Sequence, residues 1–165
     1  MGTAVTVDET EHAVLRWVEG FVAGWRAPQG PESFAAHFRP MLAADVRMTQ
    51  PMLPAFVGHE AFERQFVKPL FVLVPDVRGE VERWGSRGET IFIELTLHGT
   101  LAGRPVSWRV CDRVTLREGV AIERESYFDP SPLLAAVAST PRAWPRFVRV
   151  QAKGLLSTLT RRRTR

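Results

Sequence analysis

The feature that most constrains this sequence is the spacing of apolar side chains over residues 77–129, where they recur at every second position. Glycine-containing turns divide this stretch into four segments: "VRGEVERW", "ETIFIELTLHG", "RPVSWRVCDRVTL" and "VAIERESYFD". A period of two is typical of β-strands, and such short turns require neighbouring strands to run antiparallel. The second half of the chain is therefore predicted to form a four-stranded meander.

The first half of the chain has a helical period instead. Apolar residues spaced three and four apart predict helices over residues 9–26, around Phe34 and Phe38, and around Phe62 and Phe66. Between the last two helices "DVRMTQPM" alternates like a strand, and "PMLPAFVG" is interpreted as a loop. A short helix is predicted over residues 132–138. This order indicates an α+β fold, with N-terminal helices packed on one face of a curved antiparallel sheet.

The charge is distributed unevenly along the 165 residues. The net charge is +4, yet residues 140–165 contain eight Lys and Arg and no acid, so residues 1–139 carry −4. We therefore predict an α+β domain over residues 1–139 and a basic C-terminal extension over 140–165, helical or disordered. An acidic domain disfavours specific nucleic-acid binding. The extension either packs on the domain or makes peripheral contact with an anionic membrane or polyanion.

Several classes of protein are disfavoured by the sequence. The N-terminus has no secretory signal, and no apolar run is long enough to span a bilayer, so a cytoplasmic location is expected. Cys111 is the single cysteine, which excludes an internal disulfide and a Cys-rich zinc site. No His, Asp or Glu set has the spacing of metal ligands, so neither a metal nor a cofactor is predicted.

The faces of two strands pose the central question about the site. The segment "TIFIELTLH" has an aliphatic face, Ile91, Ile93, Leu95 and Leu97, and a mixed face, Phe92, Glu94, Thr96 and His98. In "WRVCDRV", Asp112 shares a face with Trp108, Val110 and Val114. Periodicity does not tell which face of "TIFIELTLH" points inward. The aliphatic face is either core or an oligomer interface, and in the second case the mixed face lines a cavity.

A family resemblance bears on this choice. The order of elements, with "AADVRMTQPMLPAFVGHEAF" early and "GVAIERESYFD" in the last strand, resembles the nuclear transport factor 2-like superfamily over residues 9–138. The SnoaL-like branch is the most similar, beside ketosteroid isomerases and limonene epoxide hydrolases. The resemblance implies a cone-shaped sheet closed by helices around an apolar pocket, with dimers formed through the outer sheet face. It favours the mixed face as pocket and predicts a homodimer through Ile91, Ile93, Leu95 and Leu97.

Most of the catalytic residues of these relatives are replaced. The resemblance aligns the ketosteroid isomerase base with Gln50, its oxyanion-holding tyrosine with Phe21, and its protonated aspartate with Asp112. The residues that activate and hold water in limonene epoxide hydrolases align with other side chains: Thr96, Glu94, Ser126, Met48 and Gln50. One position of the isomerase set is therefore kept, and none of the hydrolase set.

The sequence thus leads to two functional hypotheses. In the first, the chain is a cofactor-free acid/base enzyme, of the isomerase, cyclase or dehydratase type, acting on a small apolar molecule. Asp112 would be the acid and Glu94 or His98 the base, because desolvation favours a protonated carboxyl. Further residues are predicted to orient or surround the ligand: Gln50, Met48, Thr96, Trp108, Phe21 and Ser126. In the second, the chain is catalytically silent and binds a ligand or partner, with Asp112 bonded to a backbone amide or to Arg124.

Overall fold

The computed structural model describes residues 7–145 and 147–149, which form helices packed on a curved sheet. The helices are α1 (Val7–Arg26), α2 (Pro31–Phe38), α3 (His59–Ala61), α4 (Lys68–Leu73) and α5 (Ser131–Ala138). A π-helical segment, Phe62–Val67, joins α3 to α4. Short 3-10 turns span Arg39–Met41 and Pro141–Ala143. The strands are β1 (Leu42–Gln50), β2 (Leu53–Val57), β3 (Arg78–Arg87), β4 (Thr90–Leu101), β5 (Arg104–Arg117) and β6 (Val120–Tyr127).

The six strands form one sheet in the order β2-β1-β6-β5-β4-β3. Strands β3 to β6 form the antiparallel meander, and β1 joins it by running parallel to β6. The α+β fold class is confirmed. The interpretation of "PMLPAFVG" as a loop is wrong, because Leu53–Val57 folds back on β1 as an edge strand. Proline is tolerated on an edge strand, where one side of the backbone needs no partner.

The helices cover the aliphatic face of the sheet. Ile91, Ile93, Leu95 and Leu97 are all at most 5% exposed within the single chain. They pack with Val14, Val18 and Phe21 of α1 in the main hydrophobic core. Gly79 allows α1 to lie close to β3, since a Cβ there would be 3.0 Å from that of Trp25. The predicted homodimer interface on this aliphatic face is therefore wrong: these side chains are already buried by the chain's own helices.

The C-terminal part of the described chain returns to the sheet. Val137 of α5 packs with Leu101 of β4, and the Trp144 indole Nε1 donates to the carbonyl of Val137 at 3.0 Å. Most of the predicted basic extension lies outside the described residues, as does its suggested membrane contact. Within the described part of the chain, every helix is too short or too polar to cross a bilayer.

Candidate functional site

The pairing of β4 with β5 determines which side chains share the inner face. Ile93 lies opposite Asp112, Leu95 opposite Val110, and Leu97 opposite Trp108. The face of Asp112 and the aliphatic face are therefore the same face, and both point toward the helices. Asp112 is 0% exposed. The sequence prediction that Asp112 faces an apolar interior is confirmed, whereas its grouping with Glu94 and His98 is wrong.

Glu94, Thr96 and His98 lie on the outer face of the sheet. Glu94 forms ion pairs with Arg83 at 2.9 Å and with Arg109 at 3.7 Å. Thr96 donates its hydroxyl hydrogen to Glu82, and this hydrogen bond lowers the pKa of the Glu82 carboxyl. These three side chains are separated from Asp112 by the sheet itself. The predicted pairing of an acid, Asp112, with a base, Glu94 or His98, is absent. Asp112 lies opposite Ile93, and successive residues of a strand point to opposite faces, so Glu94 and His98 are on the other face of the sheet.

Cys111 belongs to the same outer face, since it lies opposite Glu94. Its side chain is half-buried among neighbours that disfavour a thiolate. Desolvation, followed by the charges of Asp112 and Glu94, raises the pKa of the Cys111 thiol. A thiol held protonated is a weak nucleophile, so Cys111 is not a candidate catalytic residue.

Asp112 is instead one member of a buried polar cluster with Arg124 and Ser126. Arg124 donates from Nε to one carboxylate oxygen at 2.8 Å and from Nη2 to the other at 3.2 Å. Ser126 donates its hydroxyl hydrogen to the carboxylate at 2.6 Å. Both partners come from β6, two residues apart on its inner face. The structural alternative raised by the sequence, a bond between Asp112 and Arg124, is confirmed.

Arg124 is held from a second direction by an aromatic ring. Its guanidinium carbon lies 5.0 Å from the ring centroid of Phe66, in the π-helical segment. A cation over the face of an aromatic ring is attracted by the ring's quadrupole, and Arg is the usual partner. Asp112 and Phe66 together fix the guanidinium in one plane, with Nε and Nη2 committed to the carboxylate. Within the described residues, Nη1 makes no hydrogen bond and remains available as a donor.

An apolar pocket of about 110 Å³ opens beside this cluster. Its polar side chains are those of Gln50, Arg124 and Ser126, and the other lining residues are apolar. Helices α4 and α5 contribute Leu70 and Leu133. Phe147 from the C-terminal segment also lines the pocket, so the chain beyond residue 139 takes part in the site. Asp112 does not line the pocket, although it holds two residues that do.

The predicted ligand-contacting residues are divided among three places. Gln50, Trp108 and Ser126 line the pocket. Phe21 and Met48 lie deeper, around a second cavity of about 20 Å³. Thr96 is on the outer face. Among the described residues, no three His, Cys, Asp or Glu side chains come together as metal ligands.

Arg124 and Phe66 are the site residues that the sequence reasoning undervalued. The turn in "TLAGR" indicates which side chains of β4 and β5 share the inner face. Ala102 and Gly103 both have positive φ, 49° and 88°, as the two central residues of a tight hairpin turn do. A two-residue turn pairs Leu101 with Arg104 and hence Ile93 with Asp112. The turn alone would have placed the aliphatic face with Asp112.

Comparison with known proteins agrees with this architecture. The family model described as "SnoaL-like domain" matches residues 14–124, about two thirds of the chain. No curated protein matches the sequence. Among solved structures, a protein described as a SnoaL-like polyketide cyclase from Jannaschia sp. CCS1 superposes with a TM-score of 0.62 at 20% identity, covering 86% of this chain and 99% of its own.

Two further solved structures share the fold. An epoxide hydrolase of M. tuberculosis, described as LEH-like, gives a TM-score of 0.60 at 16% identity, with 92% of this chain and 98% of that chain covered. A protein of Catenulispora acidiphila, described as having a ketosteroid isomerase-like fold, gives 0.62 at 17% identity, with 72% and 89% covered. At these identities the likeness shows the fold alone, so the function must be argued from the site.

Proposed function

Because the chain belongs to the SnoaL-like domain family and encloses an apolar pocket beside a buried arginine, we propose that it binds a small, mostly apolar molecule through one hydrogen-bond acceptor. The observation that carries this proposal is the free Nη1 of Arg124, in a guanidinium whose Nε and Nη2 each donate one hydrogen bond to Asp112. A carbonyl oxygen of the ligand would accept from Nη1. The rest of the molecule would lie against Leu97, Trp108 and Val110.

The charge of the cluster favours a neutral ligand. The carboxylate of Asp112 balances the guanidinium of Arg124 at contact distance, so a ligand does not need to supply a counter-charge. Bringing an additional anion into an apolar pocket would require its desolvation without a free positive charge to compensate. A neutral ketone, ester or quinone oxygen accepts a hydrogen bond from Nη1 without this cost.

The same geometry favours binding over acid/base catalysis. Among the described residues that line the pocket there is no Asp, Glu, His, Lys, Cys or Tyr. Gln50 and Ser126 are not bases near neutral pH. Asp112 accepts three hydrogen bonds and is screened from the pocket by its partners. The catalytically silent alternative therefore explains the side chains better than an isomerase or cyclase that relies on an internal base.

One observation supports catalysis as a second candidate. Arg124 is 8% exposed, and in such surroundings a positioned cation strongly stabilises negative charge that develops on a carbonyl oxygen. A substrate that enolises with solvent as the base could then be turned over, with Arg124 polarising the carbonyl. This candidate predicts exchange of the α-hydrogens of a bound ketone with deuterated solvent, which pure binding does not.

The direct test compares 2-acetylnaphthalene with 2-ethylnaphthalene by isothermal titration calorimetry. The two probes share their ring system, and only the ketone has an acceptor. We expect the wild-type protein to prefer the ketone by about tenfold, because a hydrogen bond to a charged donor contributes about 1.5–3 kcal/mol and 1.4 kcal/mol is tenfold. Equal affinity for the two probes, or binding of neither, would contradict the proposal.

Substitution of Arg124 sharpens this test. Arg124→Met alone leaves Asp112 buried without its cation, so the double variant with Asp112→Leu is measured as well. Both variants should bind the two naphthalenes equally. Arg109→Met is the matched control, because Arg109 lies on the outer face in ion pairs with Glu82 and Glu94. This control should retain the preference for the ketone.

A further inference from the structure

Phe66 and Arg124 stand between two cavities. Both residues line the pocket described above, and both also line the smaller cavity of about 20 Å³ behind it. Besides Phe66, six aromatic residues surround that smaller cavity, here called the aromatic chamber: Trp17, Phe21, Trp25, Phe34, Phe38 and Phe62. The pocket and the aromatic chamber are thus two spaces with a common wall. The ring of Phe66 is the apolar part of that wall.

Contacts on several sides hold the ring of Phe66 in this position. The guanidinium of Arg124 lies over its face at 5.0 Å. Phe62 stacks on it with centroids 5.6 Å apart, and Trp25 meets it edge-on at 6.5 Å. Offset-stacked and edge-on pairs at such distances are favourable arrangements of aromatic rings. The wall is therefore a fixed part of the core.

The backbone that carries Phe66 is irregular. Phe66 belongs to the π-helical segment, and Lys68 donates its amide hydrogen to the carbonyl of Glu63, five residues back. Pro69 follows and has no amide hydrogen for the α-helical bond to Gln65. A π-helical turn is uncommon and is frequently found at functional sites. In a regular α-helix Phe66 would be rotated about the axis, so the irregularity contributes to placing its ring over Arg124.

We propose that Phe66 is a specificity-determining residue that limits the pocket to short ring systems, and that the aromatic chamber is a second half of the same site, separated from the pocket by Phe66. This inference rests on the proposed function. With the ring of Phe66 removed, the pocket and the aromatic chamber become continuous past Arg124. The joined space has aromatic walls, which suit a longer planar ring system whose ketone oxygen remains at Nη1 of Arg124.

The test uses three ketones of increasing length: acetophenone, 2-acetylnaphthalene and 2-acetylanthracene. Their dissociation constants are measured by calorimetry for the wild type, Phe66→Ala and Phe66→Leu. In the wild type 2-acetylanthracene should bind more weakly than the shorter two. In Phe66→Ala its affinity relative to acetophenone should rise about tenfold or more, in the range for pocket walls altered by a few carbons. Phe66→Leu should shift the ratio in the same direction by less, and it decides the test if Phe66→Ala does not fold.

Two further variants separate a joined cavity from general loosening of the core. Phe71→Ala removes a buried ring from neighbouring α4 that lines neither cavity, and should leave the affinity ratio unchanged. Leu42 lines only the aromatic chamber, so Leu42→Phe added to Phe66→Ala should refill the chamber and cancel the gain. A gain that persists in the refilled variant, or that appears equally in Phe71→Ala, would overturn the inference.

Failure of this inference is distinguishable from failure of the proposed function. If none of the ketones binds the wild type, the proposed function is wrong. If they bind in an Arg124-dependent way but both Phe66 variants keep the wild-type order of affinities, only the role of Phe66 is wrong. A crystal structure of Phe66→Leu with 2-acetylanthracene should show the distal ring between Trp25 and Phe38.

Discussion

The buried carboxylate of Asp112 on the inner face of the sheet shows what residue patterns can and cannot predict. The alternation in "WRVCDRV" is enough to place Asp112 among Trp108 and Val110, and the structure confirms this. Its ion-pair partner is harder to predict, because Arg113 is the next residue in the sequence and Arg124 lies on the neighbouring strand β6. Arg113 points to the outer face, where it pairs with Glu125 at 2.7 Å. Arg124 lies diagonally across from Asp112, next to Ser126, in a register that includes an irregularity at Leu116.

Replacing one member of the buried ion pair between Asp112 and Arg124 should destabilise the protein. Asp112→Asn keeps the shape of the side chain but leaves the cation of Arg124 buried without a charge partner. We expect a loss of about 3–5 kcal/mol in the free energy of unfolding, the usual cost of breaking such a pair on one side. Urea unfolding followed by tryptophan fluorescence measures this loss.

The double variant Asp112→Leu, Arg124→Met distinguishes a buried pair from two independent residues. With both charges removed, the site becomes apolar, and the double variant should be less destabilised than the sum of Asp112→Leu and Arg124→Met. Additive losses would show that the two side chains are not coupled. A stable Asp112→Asn protein would contradict the pairing outright and restore the acid hypothesis.

At the level of elements, the alternation of apolar residues is enough to predict the strands of the meander. Which side chains of each strand point toward the core depends on the length of the turns. Two tight turns have a non-glycine residue with positive φ directly before a glycine: Ala102 before Gly103, and Glu118 before Gly119. Such turns have a fixed number of residues, so they determine which side chains lie opposite each other. Alternation alone does not tell which of a strand's two faces points inward, and for this reason the prediction placed Glu94 and His98 on the wrong face.

The turn between β5 and β6 offers a test on one residue. Glu118 has φ of 53°, a left-handed conformation that is unfavourable for most side chains and easier for Asn. Glu118→Asn should therefore stabilise the protein by about 0.5–1 kcal/mol. Because 1 kcal/mol corresponds to roughly 2–4 °C at this chain length, Tm should rise by about 1–4 °C. Glu89→Asn is the control, since Glu89 is an exposed turn residue with an ordinary φ. An equal rise in both variants would point to charge rather than to backbone conformation.

For the whole molecule, the order of elements was sufficient to predict the fold class, but the pocket required tertiary structure. Its lining residues include members of five strands, β1, β2, β4, β5 and β6, of the π-helical segment, of α4 and α5, and of the segment after α5. These elements are far apart in the sequence, so no local pattern predicts that they meet. Phe66 and Arg124 are 58 positions apart, and only the parallel pairing of β1 with β6 and the irregular helix bring them together. The family likeness suggested a pocket, while the identity of its polar residues came from the geometry.

The outer face of the sheet carries the last prediction, which concerns assembly. With the aliphatic face buried, a homodimer requires another surface, and the outer face is the one that the family resemblance implies. It exposes Phe92 by 48% and Tyr127 by 47%. Arg83, Glu94 and Arg109 alternate in sign beside Phe92, so two copies related by a two-fold axis could present opposite charges to each other.

We expect sedimentation equilibrium to give a dimer for the wild type and a folded monomer for Phe92→Lys, because the substitution places a charge in the centre of the shared face. Leu15→Lys is the matched control: Leu15 is a similarly exposed apolar residue, at 44%, but lies on α1. It should remain dimeric. Ile93→Lys should instead unfold the chain, since its side chain is fully buried in the core. A wild type that sediments as a monomer at all concentrations, or a Leu15→Lys variant that dissociates as Phe92→Lys does, would show that this face is not the interface.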